Sequence, residues 1–490
     1  MLEKIRNAFG SKTSKKGSYS VGMIAAAIVI VVLINLIAGR LPENIRNIDI
    51  SDNRIYEITD TSKELLKGLD SEVSLTVYAE KSSTDDRIKT FLSKYAALSD
   101  KISVEWVDPV QHPSALKENN VDSDTILVKC EDTGKTATVA FSDILVTDYS
   151  SYYTTGSTSA SEFDGEGQLT GAVNSVINSE SDKIYYTSGH GEGSFSSSVS
   201  ELFEKNNMES EELNLMMTGE IPDDCELLML NGISSDLTED EKDTILSYMQ
   251  NGGKVFIIFG DVTGDTPNLD ALLAEYGMEK TEGYIADVDR CYQGNYYYIF
   301  PNISTSGDLA NNLSSGMVLL ADAQGLTLTD PARDTISTQS FMTSSENAYA
   351  VTEDNQEQGS YVLGAVATES VTVTASGDSS GNASASTDTD SSSGDSSSTK
   401  EARLTVISSS SIINSQITDS FTNLDNLTLF MNAVSANFDG QENLAIPSKS
   451  LQVSYNTMRF AGPISLLLIL GIPVIILIFG FRKWWKRRKA

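Results

Sequence analysis

A mixed α/β body with a membrane-spanning helix at each end is predicted for this 490-residue chain, on three observations. Apolar stretches of strand length, at 183–188, 226–231 and 254–260, alternate with stretches of helical period, the pattern of a sheet covered by helices. The helical stretches are punctuated at their ends, most plainly where Thr238 and Glu241 form a capping box and Gly252-Gly253 a stop. Two uncharged apolar runs, 21–38 and 460–481, are long enough to cross a hydrocarbon core that takes roughly 20 helical residues.

Lys4, Arg6, Lys12, Lys15 and Lys16 precede the first run against the single acid Glu3, and Arg482, Lys483, Lys486, Arg487, Arg488 and Lys489 follow the second. Cytoplasmic loops and tails carry the excess of basic residues, so the tails 1–20 and 482–490 are expected inside and everything between the spans outside. Trp484 and Trp485 suit the membrane interface. A cleavable signal peptide is the competing reading of the first run; Leu36 stands where a cut after Ala38 needs a small residue, so retention as an anchor is expected.

Beyond the anchor, Thr61 and Glu64 read as a capping box opening a short helix. A strand at 73–79, a helix with Ile88, Phe91, Leu92, Tyr95 and Leu98 on one face, and a strand at 102–108 follow in βαβ order. A short helix near 114–120 and two strand-like stretches, 125–130 and 137–144, joined by a Thr-Gly-Lys turn, complete a thioredoxin-like α/β unit over 41–148. Its loop after the first strand, AEKSSTDD, has no Cys-x-x-Cys, so a structural or interaction module is expected and no redox role. Residues 149–168, rich in Ser, Thr and Gly, read as a polar loop between domains.

From 169 to 455 helices at 169–178, 196–206 and 239–250 alternate with the three strands named above, which predicts a doubly wound domain with a parallel sheet and helices on both faces. Asp236 and Asp261 fall just after strands, at the carboxyl edge where such sheets bind ligands. The tract 376–400 has no aromatic residue and no aliphatic larger than alanine, so it cannot pack and is expected to be disordered. Strand-like stretches flank it, favouring a loop inserted into one sheet over an interdomain linker.

Composition narrows the function. Asp and Glu number 68 against 35 Lys and Arg, a formal charge of −33, which repels nucleic acid and anionic lipid. Cys130, Cys225 and Cys291 are too few and too scattered for a disulfide framework or a metal knuckle. There is no Gly-x-x-x-x-Gly-Lys-Ser/Thr loop, so the chain is not itself an ATPase, and no Gly-x-Ser-x-Gly nucleophile elbow.

The sharpest local feature is KIYYTSGHGEGSF, a strand running into Gly189-His190-Gly191-Glu192 in a chain with two histidines. Backbone amides between strand and helix can hold an anion. A dinucleotide fingerprint needs glycine where Ser194 stands. A metal or acid–base site could use His190 and Glu192 with Asp236 or Asp261, but His112, the other histidine, lies in the preceding unit, and zinc needs at least three protein ligands. The bland alternative is a tight turn in which the glycines take unusual backbone angles and His190 bonds locally. The candidate ligand-binding residues are therefore Gly189, His190, Gly191, Glu192, Asp236 and Asp261, with no catalytic residue, metal or cofactor expected.

IDISDNRIYEITDTSKELLKGLDSEVSLTVYAE, LSKYAALSDKISVEWVDP, KIYYTSGHGE, LTEDEKDTILSYMQNGGKVFIIFGD and the closing apolar run with RKWWKRRK, in this order, resemble the GldG-type family of bacterial gliding-motility and ABC-transporter auxiliary proteins. The resemblance implies a non-ATPase subunit working with a separate ABC ATPase and a multi-span permease in the bacterial cell membrane, with an extracytoplasmic, glutamine-amidotransferase-like α/β domain. It transfers no catalytic residue. The chain departs from members that fuse the permease helices to this domain, having two apolar runs alone. A cell-surface hydrolase acting on glycan or peptide, or a tethered solute-binding receptor, are the alternatives.

Overall fold

The computed structural model describes residues 54–148, 159–262, 264–304, 316–374, 397–418, 424–438 and 446–451, with isolated residues beside these stretches and near both ends. The predicted spans lie outside them apart from Val29, Ile30 and Ile478, which are helical. Among the described residues no helix is long and apolar enough to cross a membrane.

The first unit runs α1 (Asp60–Lys67), β1 (Val73–Tyr78), α2 (Asp86–Ala96), β2 (Ile102–Val107), α3 (Pro113–Asn119), β3 (Thr125–Cys130), β4 (Thr136–Ala140), α4 (Phe141–Ile144), β5 (Leu145–Asp148), β6 (Ser159–Phe163) and α5 (Gly165–Ile177). Its four-stranded sheet has the order β2-β1-β3-β4, with β1 and β2 parallel and β3 and β4 antiparallel. The predicted α2 face is the buried one: Ile88, Phe91, Leu92 and Tyr95. Two details differ from the sequence reading. Helix α1 starts earlier, capped by the extended Thr59, whose hydroxyl accepts the Ser62 amide, and Thr61 lies inside the helix. The second half of the predicted strand 137–144 turns into α4.

The domain boundary moves. Of the supposed loop 149–168, the described part is strand β6 and the first turn of α5, and β6 pairs with β5 and with β22 (Lys449–Ser450). Phe163, Leu169, Val173 and Val176 belong to the same core as Leu75, Val77, Phe91 and Val128. Burying each such side chain stabilises by about 1.5–3 kcal/mol, so α5 goes with the first unit, completing its βαβαββα pattern. Polar composition hid this, because the buried start of α5 reads Gly-Glu-Gly.

The second unit runs β7 (Asp182–Thr187), α6 (Ser197–Lys205), β8 (Met208–Leu213), α7 (Leu215–Thr218), β9 (Leu227–Ile233), α8 (Glu239–Gln250), β10 (Lys254–Phe259) and α9 (Pro267–Glu275). An antiparallel stretch follows, comprising β11 (Met278–Asp287), β12 (Cys291–Tyr292), β13 (Asn295–Ile299), β14 (Asn302–Ile303), β15 (Leu320–Ala321), β16 (Gln324–Leu328), β17 (Ile336–Thr343), β18 (Ala348–Val351), β19 (Gln356–Gly359), β20 (Val362–Thr374) and β21 (Ser397–Ile407). Short α10 (Ser415–Thr418) and α11 (Asn426–Ser435) close the unit before β22.

The main sheet is mixed where a parallel one was expected. Strands β8-β7-β9-β10-β21 are mutually parallel neighbours, and β20, β16, β11, β18 and β19 extend the sheet antiparallel beyond β21, with β17 and β14 to one side of β20. Alternate residues serve opposite faces. Leu227, Met229, Phe256 and Ile258 pack with Val199, Phe203 and Phe430, whereas Leu228, Leu230, Val255 and Ile257 pack with Ile245, Met249 and Leu269. Helices thus cover both faces of the parallel half, as a doubly wound sheet requires. The tract's flanks, β20 and β21, pair from Gly364↔Ile407 out to Thr374↔Ser397, so 397–400 are strand and the connection proper is shorter than predicted. The residues between, 375–396, lie outside the described ones.

Candidate functional site

In chain order the parallel strands read 2-1-3-4-5, and the chain changes direction between β7 and β9. Ligands of doubly wound sheets bind at such a switch point, outside the carboxyl ends of the strands. The loop carrying Gly189, His190, Gly191 and Glu192 follows β7 at that point, and Ser234 follows β9 beside it.

This loop is closed onto its surroundings by its own hydrogen bonds. Gly189 and Gly191 have φ of 128° and 88°, a region that glycine enters freely. A methyl group on Gly191 would lie 1.9 Å from Ser234 Oγ. The His190 carbonyl accepts from the Ser234 and Ser235 amides at 3.0 and 3.1 Å and from Ser234 Oγ at 3.2 Å. Glu192 folds back to accept the His190 amide at 2.5 Å and the Thr187 hydroxyl at 2.8 Å. Asn231 and Gly193 exchange two further hydrogen bonds, 2.8 and 3.0 Å long.

The imidazole lies between two carboxylates. Nε2 is 3.1 Å from Glu241 Oε2, and Nδ1 is 3.7 Å from Glu192 Oε1. The three side chains are 5, 4 and 1% exposed for His190, Glu241 and Glu192. Glu241 also accepts the Thr238 amide at 3.0 Å and hydroxyl at 2.7 Å, the predicted capping box of α8. Sequence reading assigned Glu241 a cap and missed that position N3 turns its carboxylate toward His190. The hydroxyls nearby are committed: Ser234 donates to a carbonyl and Thr187 to Glu192. The arrangement holds two loops and a helix start together and directs no ring nitrogen at open solvent.

Asp236 and Asp261 do not join this cluster. Asp236 accepts from the Asn268 amide, the Asn268 side chain and the Leu269 amide at 2.9–3.2 Å, which caps α9 from the loop after β9. Asp261 is exposed and accepts the Tyr284 hydroxyl, whose pKa is pushed up to about 12, first by that hydrogen bond and then by burial. Burial and then the charge of Asp261 raise the neighbouring Asp322 carboxyl above its ordinary range. Among the described residues no group of three or more His, Cys, Asp or Glu could hold a metal ion. Cys130, Cys225 and Cys291 are free thiols.

A cavity of about 1040 Å³ lies at the opposite, amino edge of the parallel strands, lined by Asp182, Glu226, Tyr248 and Lys254. Burial, then a hydrogen bond donated to Asp182 and the charge of Asp182, push Glu226 up to about 7, with Lys254 opposing. Sequence reading did not find this pair, because its members sit at the starts of different strands.

Residues 52–147 match a family model described as a domain of unknown function (DUF7088). No curated protein matches the chain. Among solved structures, the chain is similar to the mmIFT52 N-terminal domain (14% identity, 52% of this chain and 98% of that one, TM-score 0.36). It is also similar to a putative ThuA-like protein from Bacteroides uniformis ATCC 8492 (12% identity, 55% of this chain and 97% of that one, TM-score 0.34).

Proposed function

We propose that the chain is a non-ATPase auxiliary subunit of an ABC-type transport complex, anchored by both ends in a bacterial cell membrane, with the α/β body outside. The observation that carries this reading is the junction at Glu166. One Glu166 oxygen accepts the Thr59 amide and hydroxyl, both at 2.6 Å, and the Ser62 hydroxyl at 2.8 Å, while the other is 3.1 Å from Lys449 Nζ. Lys449 also donates to the Glu57 carbonyl. The stretches around Thr59 and Lys449 therefore lie side by side, an arrangement that suits two anchors in one membrane. Basic residues flanking the two apolar runs support the same topology.

The 2-1-3-4-5 order with helices on both faces supports the glutamine-amidotransferase-like expectation for the main domain. The closed His190 cluster favours a binding or assembly role over the hydrolase alternative, since a catalytic base must reach its substrate. Purification of the tagged full chain from its own bacterial membranes tests the reading: an ATP-binding protein and a multi-span permease should accompany it. Recovery of the chain alone, in a detergent that keeps such complexes together, counts against it.

A further inference from the structure

The hairpin of β12 and β13 stands apart by composition. From Cys291 to Gly307 the chain carries no Asp, Glu, Lys or Arg, although charged residues make up 21% of the whole, and the hairpin itself reads CYQGNYYYI. Its two-residue turn is Gln293-Gly294, with φ of 49° and 82°, both in the left-handed region that a tight hairpin requires. Tyr292 and Asn295 pair across it. The Tyr292 ring stands edge-on to Phe421 and Phe300, with centroids 5.1 and 6.3 Å away, and its hydroxyl accepts from Gln293 Nε2 at 2.9 Å. The hairpin is thus fixed before anything binds to it.

Alternation along β13 decides what it presents. Ile299 is buried in the main core, so Tyr297 shares its side of the strand and Tyr296 and Tyr298 take the other. Tyr296 is 49% exposed and Tyr298 half-buried. Two residues apart on a strand, they stand roughly 6.5–7 Å from each other. Opposite Tyr298 in the ladder is Ala321, too small to cover a ring. The next residue, Asp322, donates its amide to the Tyr297 carbonyl at 3.1 Å, which places a carboxylate beside the hairpin. Arg290, at the hairpin's base, is committed to the Phe300 and Pro301 carbonyls.

Open rings with hydroxyl tips beside a carboxylate match a neutral sugar, whose C–H face stacks on an aromatic ring while its hydroxyls donate to acceptor oxygens. An anionic polysaccharide is disfavoured by the chain's formal charge of −33. A protein partner needs roughly 800 Å² of surface. Two tyrosines, at about 150–250 Å² each when wholly covered, supply much less. We propose that the outer face of β13 binds a neutral oligosaccharide, its sugar rings stacked on Tyr296 and Tyr298 and a hydroxyl donating to Asp322. The site is independent of the transport reading.

Calorimetric titration of the full chain in lipid nanodiscs tests this, with cellohexaose and chitohexaose as probes and hexagalacturonate as the anionic counterpart. At least one neutral probe should bind with a Kd of about 1 mM or tighter, and the anionic one should not. Tyr296→Ala, Tyr298→Ala and Asp322→Ala should each weaken binding roughly tenfold, whereas Tyr296→Phe, which keeps the ring, should stay within about threefold. Should Tyr298→Ala fail to fold, Tyr296→Ala, at the more exposed position, decides for the rings. No binding of either neutral probe, equal binding of hexagalacturonate, or undiminished binding in folded Tyr296→Ala or Asp322→Ala overturns the proposal. So does self-association that Tyr296→Ala abolishes in the absence of sugar binding, which would make the face a contact between copies of the chain.

Discussion

Gly191 and Gly193, two residues apart in the loop after β7, will answer differently to the same methyl group. Gly191→Ala puts a Cβ on a positive-φ residue against Ser234 Oγ, whereas Gly193 has nothing within 4 Å of the added atom. Denaturant unfolding should show a loss of about 2–4 kcal/mol for Gly191→Ala and under about 0.5 for Gly193→Ala; equal losses would refute the strained corner. Glu226 gives a pH effect of definite sign. Its carboxyl is raised from an ordinary 4.5 to about 7 in the folded chain, which therefore holds the proton more tightly than the unfolded one. The resulting stability is fully present below about pH 4.5 and is lost as pH rises through 7. Glu226→Gln should flatten that decline, leaving the variant more stable at pH 8 by about 1 kcal/mol after allowance for solvent screening; parallel pH profiles for the two proteins would contradict this. The glycine–histidine stretch was legible because it breaks an apolar strand with unusual residues. Its partner Glu241 was not, since only the fold brings α8 over that loop, and Asp236 and Asp261 shared an edge in sequence logic but face other donors.

Elements were legible where their burial is one-sided and continuous. The amphipathic face of α2, the apolar runs of β9 and β10 and the capped start of α8 all stand out by period. Strand β8 did not, because four exposed residues separate buried Met208 from buried Leu213. Nor did the first turn of α5, buried and opening Gly-Glu-Gly, although the rest of that helix was legible at 169–178. The β20–β21 ladder gives an element-scale prediction. Replacing 376–396 by a short Gly/Ser linker should move Tm by less than about 2 °C, since its composition offers nothing to a core. Extending the replacement through Lys400 removes the ladder pairs from Lys400↔Val371 to Ser397↔Thr374 and should lower Tm further. Equal Tm values for the two replacements would mean the outer ladder contributes nothing. Helix α8 gives another: Thr238→Ala loses a cap worth about 1 kcal/mol and the hydroxyl that steadies Glu241. Hydrogen exchange should quicken both at the start of α8 and in the 188–193 loop; a change confined to the helix would separate the cap from the loop.

The described body is two α/β units that meet at α5, with the segments around Thr59 and Lys449 brought to one carboxylate. Glu166→Ala strips the acceptor from Thr59 and Ser62 and the counter-charge from Lys449, and should cost about 3–5 kcal/mol, with exchange rising together at 59–66 and 446–451. A rise on one side alone would show that the ends are held separately. The proposed topology is checked by an impermeant maleimide on intact cells in a Cys291→Ser background: Ser391→Cys should label and Ser11→Cys should not, and the reverse would overturn it. The junction also sets a leash. Nine peptide steps separate Leu451 from Phe460, where the second apolar run begins, and a fully extended chain covers at most about 3.3–3.6 Å per residue. Under the two-span reading, the Leu451 end of the described body can rise no more than about 30 Å above the bilayer. That end is then tethered below a short ceiling over the membrane, within reach of a transporter's mouth.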